Sequence, residues 1–334
     1  MVSQSNQDSH GGDVVALSGG VGGAKLALGL SKLLPSGKLF IAANTGDDFR
    51  HLNLHISPDL DTLTYTLADI ANLETGWGRR DDTWSFMNAL GELGGETWFK
   101  LGDRDLAMHV ERTRRLAAGE TLSQITRDIT TRLGIRSRIV PMCDEVVSTR
   151  VVTTEGEMDF QRYFVELNCR PQVTGFVFHG AQNAKPQHEL LQVLRNPSLR
   201  AIVICPSNPF ISVDPILSVP GIREELRITR APVIAVSPVI GGRAVKGPTA
   251  KMMSELGLRV DAASVARHYS GLIDGYVIDL VDRELAESID LPTVTTATLM
   301  NTLDDRIALA RSVLDFADRL GMADRSLARA SRNE

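Results

Sequence analysis

The sequence has few cysteines, no long hydrophobic run and no excess of basic residues. Its three cysteines lie far apart in a chain of 334 residues and match no zinc or redox spacing. No stretch reaches the roughly 18 apolar residues of a membrane span, and the polar residues 1–12 lack the apolar core of a signal peptide. The net charge of -5 gives no sign of a nucleic-acid-binding surface. We therefore expect a cytoplasmic protein with reduced thiols and with no nucleic-acid or membrane partner.

The composition and the length limit the domain organisation. Hydrophobic residues make up 43% and charged residues 23% of the chain, which is ordinary for a globular protein. The length allows one large α/β domain or two smaller domains. No internal repeat or low-complexity linker marks a boundary. We predict a disordered tail at residues 1–12 and a single α/β nucleotide-binding domain at 13–334, with an insertion at about 60–170.

Glycine is plentiful at one point, directly after the first apolar segment. A strand is predicted at 13–17 and a helix at about 22–34, and between and within them stand Gly19, Gly20, Gly22 and Gly23. Glycine lets backbone approach a ligand closely, and the free N–H groups at a helix start suit a phosphate. The spacing matches neither G-x-G-x-x-G nor the P-loop pattern. We favour a phosphate-binding turn, and a tight turn without a ligand is the alternative.

Strand-like apolar segments alternate with amphipathic helices along most of the chain. The other predicted elements are strands at 38–43, 201–205, 231–237 and 276–279, helices at 60–73, 83–93, 122–133, from about 248 and at 302–320, and a hairpin at 145–167. This order predicts an α/β fold, a doubly wound and mostly parallel Rossmann-like sheet with a largely helical insertion and a β-hairpin. The loops after four of the strands would then meet in one ligand crevice.

Two pairs of aspartates lie near the glycine turn in the sequence. Asp47 and Asp48 follow the second strand, and Asp59 and Asp61 stand at the start of the next predicted helix. Carboxylates on adjacent loops that face a diphosphate would hold Mg²⁺. Helix capping is the alternative for Asp59 and Asp61. The two pairs together favour a magnesium site.

All three tryptophans lie in one part of the chain, between residues 76 and 109. Trp77 and Trp84 flank a run of charged residues, and Trp98 stands directly before Phe99. A planar ligand would stack on such rings. Packing of the insertion onto the core explains them equally well.

Seven segments, in order from residue 14 to about 250, carry a resemblance to a known family. They are Ser-Gly-Gly-Val-Gly-Gly-Ala-Lys at 18–25, Asn-Thr-Gly-Asp-Asp at 44–48, Pro-Asp-Leu-Asp-Thr at 58–62, Gly-Trp-Gly at 76–78, Leu-Gly-Asp-Arg-Asp-Leu-Ala at 101–107, Ser-Asn-Pro at 207–209, and Ser-Pro-Val-Ile-Gly-Gly at 237–242 with Lys-Gly-Pro at 246–248. No single segment is specific, but their order is. Together they resemble the 2-phospho-L-lactate transferase family of coenzyme F420 biosynthesis.

The resemblance implies a Mg²⁺-dependent transferase. A phospho-acid group (2-phospholactyl, or the phosphoenolpyruvyl or 3-phosphoglyceryl equivalent) passes from its guanosine-diphosphate-linked donor to the ribityl hydroxyl of the deazaflavin Fo. GMP leaves, and the product is F420-0 or an analogue. The sequence leaves open which three-carbon acid is used. The resemblance also suggests a homodimer.

The resemblance implies roles for particular residues of this chain. Asp48 and Asp61 are the expected catalytic residues and metal ligands, with Asp47 and Asp59 as weaker candidates. The residues expected at the nucleotide are Gly19, Gly20, Gly22, Gly23, Lys25, Ser207, Asn208, Gly241 and Gly242. The residues expected at the deazaflavin are Trp77, Trp84, His51, His55 and His109, for which a buried structural role is the alternative.

Two other functions remain open from the sequence. One is a nucleotide-sugar-binding metabolic regulator of the same superfamily, without transferase activity. The other is an enzyme that holds a dinucleotide, since Asp47 and Asp48 lie near the distance at which such folds place an acidic ribose contact. The absence of the G-x-G-x-x-G spacing weakens the second reading.

Overall fold

The computed structural model describes residues 12–330, with side chains described for residues 12–322. The predicted tail at 1–12 therefore lies, apart from Gly12, outside the described residues. Within the described part of the chain, we find no helix with the length and apolar character that crossing a membrane requires.

Strands and helices alternate through most of the described chain. The strands are β1 (Val14–Ser18), β2 (Leu39–Ala43), β3 (Phe49–His51), β4 (Leu54–Ile56), β5 (Arg138–Pro141), β6 (Ser148–Thr153), β7 (Gly156–Asp159), β8 (Val173–His179), β9 (Ala201–Ile204), β10 (Val233–Val236), β11 (Val239–Ile240), β12 (Arg243–Ala244), β13 (Gly275–Asp279) and β14 (Thr293–Thr296). The α-helices are α1 (Gly20–Leu33), α2 (Pro58–Leu67), α3 (Ser85–Glu92), α4 (Asp103–Ala117), α5 (Leu122–Arg132), α6 (His188–Leu194), α7 (Asp214–Ser218), α8 (Ile222–Ile228), α9 (Thr249–Glu255), α10 (Ala262–His268) and α11 (Leu303–Ala330).

Within residues 12–330, seven strands form the central sheet, in the order β14-β13-β10-β9-β1-β2-β5. Every neighbouring pair in it is parallel. The chain moves from β1 outward to β2 and β5, and then returns to the other side of β1 to form β9. The order reverses between β1 and β9, which makes this the switch point where open α/β sheets bind ligands. The predicted α/β fold class is confirmed.

The sheet is covered on both faces, as a doubly wound fold requires. Val15 and Leu17 of β1 pack into one core together with residues of α6 to α10. Val14 and Ala16 point to the opposite face and pack with α1, α2, α5 and α11. Because alternate residues of a strand face opposite sides, a strand buried on both faces is apolar throughout. This explains why β1 reads as a continuous apolar run.

In the part of the chain that the structure describes, three smaller sheets lie outside the central one. They are the hairpins β3-β4 and β11-β12 and the sheet β7-β6-β8. The predicted hairpin at 145–167 is only half right. Its strands β6 and β7 are antiparallel as expected, but residues 162–166 form a π-helical turn and the third strand is β8. The central sheet also takes a strand, β5, from the range 60–170.

The helix predicted at 60–73 ends earlier, at Leu67. Asp69 adopts the left-handed conformation, with φ +57°. The N–H of Ile70 donates to the carbonyl of Tyr65 at 2.9 Å, and that of Asp69 donates to Thr66 at 3.3 Å. This pair of bonds is a Schellman ending, which usually places glycine where this chain has Asp69. An aspartate at that position gives no stop signal in the sequence.

Candidate functional site at the switch point

A cavity of about 580 Å³ opens at the carboxyl ends of β1, β9 and β10. The glycine turn after β1 forms its floor at the switch point. The first turn of α2 and Asp47 line one side, and the segments after β9 and β10 line the other. Residues of the π-helical turn and of the segment 98–100 complete the wall. The predicted convergence of strand-end loops on one crevice is therefore observed.

The glycine turn brings the start of α1 to the cavity floor, where the N–H groups of Gly19 and Gly20 donate to Ser207 and Asp59. Gly19 and Gly20 line the cavity, and Gly20 begins α1 with φ +64°. The N-cap position is Gly19, where a Cβ would lie 2.5 Å from a carboxylate oxygen of Asp59 and 2.7 Å from Ser212, so only glycine fits there. A helix start of this kind presents N–H donors and a positive partial charge to an anion.

Gly22 and Gly23 hold the first loop against the loop after β9. A Cβ on Gly22 would collide with the carbonyl oxygen of Pro206, and one on Gly23 would lie 2.6 Å from the Ser207 hydroxyl. Gly22 lines the cavity, whereas Gly23 does not. These two glycines therefore allow close packing of the loops at the switch point.

Three more of the predicted nucleotide residues also line the cavity, namely Lys25, Ser207 and Asn208. The Ser207 hydroxyl accepts from the N–H of Gly19 at 3.2 Å and donates to its carbonyl at 2.7 Å. The Asn208 side chain accepts from the N–H of Phe210 and so caps the following turn. The Lys25 ammonium donates to the carbonyl of Met300 at 2.8 Å, and burial lowers its pKa, with Arg306 and Lys246 adding to this effect.

The structure does not place Gly241 and Gly242 in the cavity wall. Both have positive φ, +55° and +72°, and they form the two-residue turn between β11 and β12. The Gly241 N–H donates to the carboxylate of Asp282 at 2.9 Å. Ile240 and Val245, on either side of the hairpin, are the residues that line the cavity. The glycines therefore shape the hairpin that carries those side chains.

Asp47 and Asp59 are the carboxylates that face the cavity. Both are buried, and the Asn44 amide donates to both, at 3.1 Å to Asp47 and 2.9 Å to Asp59. The other Asp59 oxygen accepts from the N–H of Gly20 at 2.6 Å. Asn44 thus joins two carboxylates that come from different loops, and Asp59 connects them to the glycine turn.

Burial raises the pKa of both cavity carboxylates, and the charges of neighbouring carboxylates add to this rise. For Asp47, burial is the largest cause of a pKa well above the usual range, followed by the charges of Asp59 and Asp48. Burial raises the pKa of Asp59 to about 6, against the hydrogen bonds from Asn44 and Gly20. Two such carboxylates carry negative charge at neutral pH only at a cost in free energy.

The two aspartates predicted as metal ligands are placed differently. Asp48 does not line the main cavity but a second one of about 550 Å³, which shares Trp98 and Gln161 with it. One Asp48 oxygen accepts from Ser57 at 2.7 Å and contacts His55 at 3.1 Å, and the other is buried with no hydrogen-bond partner among the described residues. Asp61 lines neither cavity, and Arg112 donates to both of its oxygens.

A divalent cation fits the residues present beside the glycine turn. Mg²⁺ takes one or two carboxylates together with phosphate oxygens and waters, so a complete protein cage is not needed. Among residues 12–330, no group of three or more His, Cys, Asp and Glu side chains forms such a cage. Asp47 and Asp59 supply two buried carboxylates at the cavity wall, and burial, with smaller contributions from neighbouring carboxylates, raises the pKa of both, a cost that a bound cation would offset.

Part of the cavity wall is aromatic. Trp77, Trp98, Phe99, Phe160 and Phe164 line it. Phe160 and Phe164 stack in parallel at 5.4 Å, and Phe164 remains 38% exposed. Trp84 is not part of the lining and packs edge-on against Trp77 at 6.2 Å. Of the two tryptophans predicted at the deazaflavin, the structure brings Trp77 to the cavity and places Trp84 behind it.

The three predicted histidines lie outside the main cavity. His51 is buried, with its ring 5.1 Å from that of Trp98, and burial lowers its pKa. His55 contacts Asp48 and lines the second cavity. His109 is buried 3.3 Å from Asp105 and 3.7 Å from Asp61. His51 and His109 are thus buried, whereas His55 is partly exposed in the second cavity, and the assignment of these three rings to the deazaflavin stays a prediction.

The sequence analysis missed several residues that shape the site. Asn44 stands in a segment noted for its aspartates, and its position between them depends on the folded loop. Phe160 and Phe164 were assigned to a hairpin, which hid their helical spacing of four residues. Arg112 lies in a helix rich in arginine, so no local signal distinguishes it from its neighbours. Only Asn44 carried a usable signal, an amide beside two acids at a strand end.

Comparison with known proteins agrees over nearly the whole chain. Residues 14–297 match the family described as 2-phospho-L-lactate transferase CofD. A phosphoenolpyruvate transferase from Streptomyces griseus is 39% identical, covering 91% of this chain and 98% of the relative. A 2-phospho-L-lactate transferase from Methanocaldococcus jannaschii is 35% identical, covering 92% of this chain and 99% of the relative.

A solved structure is similar in fold. A member of the UPF0052 family from Bacillus halodurans has a TM-score of 0.61 at 14% identity, covering 91% of this chain and 98% of that chain. At this identity the similarity concerns the fold alone.

The sheet and its crevice define a Rossmann-like α/β protein with a carboxylate-lined ligand cavity at the switch point. The family match and the relatives then make the assignment specific: the chain belongs to the 2-phospho-L-lactate transferase CofD family. The predicted family is confirmed, and with it the assignment as a transferase.

Proposed function

We propose that this protein transfers a phospho-acid group from its guanosine-diphosphate-linked donor to the ribityl hydroxyl of Fo, in the cytoplasm and as a homodimer. The group is 2-phospholactyl, phosphoenolpyruvyl or 3-phosphoglyceryl. GMP leaves and F420-0 or an analogue forms, a step of coenzyme F420 biosynthesis. The relatives named above as phosphoenolpyruvate and 2-phospho-L-lactate transferases support this type of chemistry.

One observation carries the proposal, namely the contact between the glycine turn and a buried carboxylate inside one cavity. Asp59 accepts from the N–H of Gly20, at the position where an anionic ligand would meet the start of α1. A carboxylate so close to a phosphate site repels the ligand unless a cation or a proton intervenes. Such a pairing suits a diphosphate that binds together with Mg²⁺.

Within this proposal the residues divide the work. The glycine turn and the start of α1, which line the cavity, would hold the diphosphate, and the segments after β9 and β10 would hold the guanosine. Asp47 and Asp59 would hold Mg²⁺, whereas the family resemblance implies Asp48 and Asp61, neither of which lines the main cavity. When bound, the ion would neutralise charge on the diphosphate. The polypeptide itself contributes chiefly by positioning the two substrates.

The acceptor would lie against the aromatic wall. Fo carries a planar ring, and Trp77, Trp98 and Phe164 offer ring faces or edges within the cavity. Asp47 is connected to this wall by Gln161, the neighbour of Phe160, which donates to it at 3.4 Å, and to the glycine turn through Asn44 and Asp59. A ring held at the wall would therefore have its ribityl chain near Asp47 and the diphosphate.

The proposal is tested by incubating the protein with Fo, GTP, a guanylyltransferase and, separately, 2-phospholactate, phosphoenolpyruvate or 3-phosphoglycerate, with products identified by mass. We expect a product of F420-0 type with one acid at least. If the protein yields no such product and binds a uridine-diphosphate sugar instead, the proposal is wrong and the regulator reading is correct. Omitting the guanylyltransferase is the control, because the free phospho-acids should then give no product.

A further inference from the structure

The first turn of α2 carries carboxylates on two opposite faces. Asp59 points to the cavity, where it accepts from the N–H of Gly20. Asp61, two residues on, points to α4, since residues two apart on a helix lie on nearly opposite sides. Whatever fixes the rotation and depth of this turn therefore also fixes where Asp59 stands.

Arg112 of α4 binds the second of these carboxylates. Its guanidinium is buried and donates to both oxygens of Asp61, over 3.2 Å to one of them and by a shorter bond to the other. It also donates to the carbonyl of His55 at 3.4 Å, next to the loop that leads into α2. The guanidinium thus joins α4, the end of the β3-β4 hairpin and the start of α2. A two-bond pair of this kind fixes orientation as well as distance.

The positive charge of Arg112 also offsets part of the negative charge around the site. Four aspartates, Asp47, Asp48, Asp59 and Asp61, are buried close to one another, and the charges of the other three add to the raised pKa of Asp47. The charge of Arg112 lowers the pKa of Asp48, although burial remains the larger influence and raises it. The charge of Asp61 in turn helps to keep Arg112 protonated against the effect of burial.

We propose that Arg112 is a positioning residue for the transfer reaction. It neutralises Asp61 and fixes the first turn of α2, so that Asp59 is presented to the glycine turn. In this account Asp61 acts through Arg112 and does not touch the substrates or the ion. The role in transfer rests on the proposed function, whereas the positioning of α2 is a statement about the folded chain.

Four variants test the proposal, namely Arg112→Met, Arg112→Lys, Asp61→Asn and the double variant Arg112→Met with Asp61→Asn. The matched control is Arg115→Met on the same helix, because Arg115 forms its ion pairs with Glu120 and Asp128 instead. Each variant is measured for kcat, for the KM of donor and acceptor, for the Mg²⁺ concentration that gives half-maximal rate, and for amide hydrogen exchange in residues 18–22 and 58–62. The exchange measurement needs no activity.

We expect Arg112→Met to lower kcat by roughly 10- to 100-fold and to speed exchange in both segments, because the buried Asp61 carboxylate then lacks the partner that holds the turn in place. The double variant should have a kcat about tenfold higher than that of Arg112→Met, since it leaves no buried carboxylate without its partner. Arg112→Lys should lie between wild type and Arg112→Met, because lysine keeps the charge and loses the fork. Arg115→Met should leave the exchange at residues 18–22 unchanged.

Asp61→Asn distinguishes a positioning role of Asp61 from a role as a metal ligand. We expect its half-maximal Mg²⁺ concentration to stay within about twofold of wild type, as fits a residue that does not bind the ion. A large rise in that concentration, or a double variant no better than Arg112→Met, would overturn the proposal. Unchanged exchange in Arg112→Met would overturn it as well, even for a protein without transferase activity. Absence of activity in the wild type would instead count against the proposed function alone.

Discussion

At the scale of single residues, the site depends on one side-chain amide that donates hydrogen bonds to two carboxylates. Asn44 donates to Asp47 and to Asp59, and its own oxygen accepts from the N–H of Gly46 at 2.8 Å. It brings two carboxylates to the cavity without supplying a positive charge. Their repulsion is therefore left in the folded protein until a ligand arrives. A functional site often retains such a cost where the bound ligand relieves it.

The first prediction concerns the pH dependence of stability without Mg²⁺. A carboxyl group whose pKa is raised by folding contributes most below its unfolded pKa, and that stability is lost as pH rises through the folded value. For Asp59 the folded value is about 6, and for Asp47 the pKa is also raised. We expect the melting temperature in EDTA to fall from pH 5 to pH 8, and to fall less in Asp47→Asn. At pH 8, Mg²⁺ should raise the melting temperature of the wild type more than that of Asp47→Asn.

Asp81→Asn is the control for this experiment, because the Asp81 side chain is 80% exposed. It should melt with the same pH dependence as wild type. If the melting temperatures of Asp47→Asn and wild type change with pH in the same way, burying the charged Asp47 carboxylate does not destabilise the folded protein.

The second prediction separates the two neighbouring tryptophans. Trp77 lines the cavity and Trp84 packs behind it, and they are similarly exposed, at 44% and 38%. We expect Trp77→Ala to raise the KM for Fo roughly threefold to tenfold with little change for the donor, since it removes a ring contact to the acceptor. Trp84→Ala should change the KM for Fo less. Equal changes for both substrates in Trp77→Ala would assign the residue a structural role.

At the scale of elements, the close approach of two loops defines the switch point. The start of α1 lies against the loop after β9 so closely that a Cβ on Gly22 would meet the carbonyl of Pro206. Ser207 bonds both backbone groups of Gly19 across the same gap. The cavity floor therefore belongs to both halves of the sheet and moves only if they separate.

A single methyl group tests this contact. We expect Gly22→Ala to lower the free energy of unfolding by about 1–3 kcal/mol, as overpacking against backbone does, and to weaken GDP binding. Gly175→Ala is the matched control, because a Cβ there has nothing within 4 Å. Thermal or denaturant unfolding measures the first effect, and calorimetry measures the second. If Gly22→Ala has the wild-type free energy of unfolding and the wild-type affinity for GDP, the two loops can accommodate a methyl group and the contact is not tight.

The elements also show what sequence patterns can and cannot predict. The strands β1, β2, β9, β10 and β13 were all anticipated, because strands buried on both faces are short apolar runs. The glycine turn was equally legible. The end of α2 was not, since Asp69 takes a conformation typical of glycine. The π-helical turn at residues 162–166 was hidden because its apolar spacing also fits a strand and because π-turns leave no local signature.

The candidate site divides in the same way. Its backbone part, the glycine turn and the strand-end loops, follows from local sequence. The choice among four aspartates does not, because it depends on which of them meets Arg112 and which meets Asn44, and these partners come from distant segments. The aromatic wall likewise depends on the fold that brings residues 77, 98 and 164 together. Tertiary contacts decide such roles, and no spacing rule reports them.

At the scale of the whole molecule, the two substrates of the proposed reaction bind on opposite sides of the switch point. The nucleotide side is formed by the loops after β9 and β10, and the acceptor side by the segments between β2 and β8 that lie outside the central sheet. The glycine turn and the cavity carboxylates lie between them. Transfer between two bound substrates needs such an arrangement, because the reacting groups must meet while both partners stay held.

The most direct test of the central claim is the release of GMP from the guanosine-diphosphate-linked donor, measured with and without Fo in the presence of Mg²⁺. The account predicts that GMP appears only when Fo is present, in a one-to-one ratio with the transferred product, for one at least of the lactyl, enolpyruvyl and glyceryl donors. Release of GMP at the same rate without Fo, or no release from any of the three donors, would contradict it.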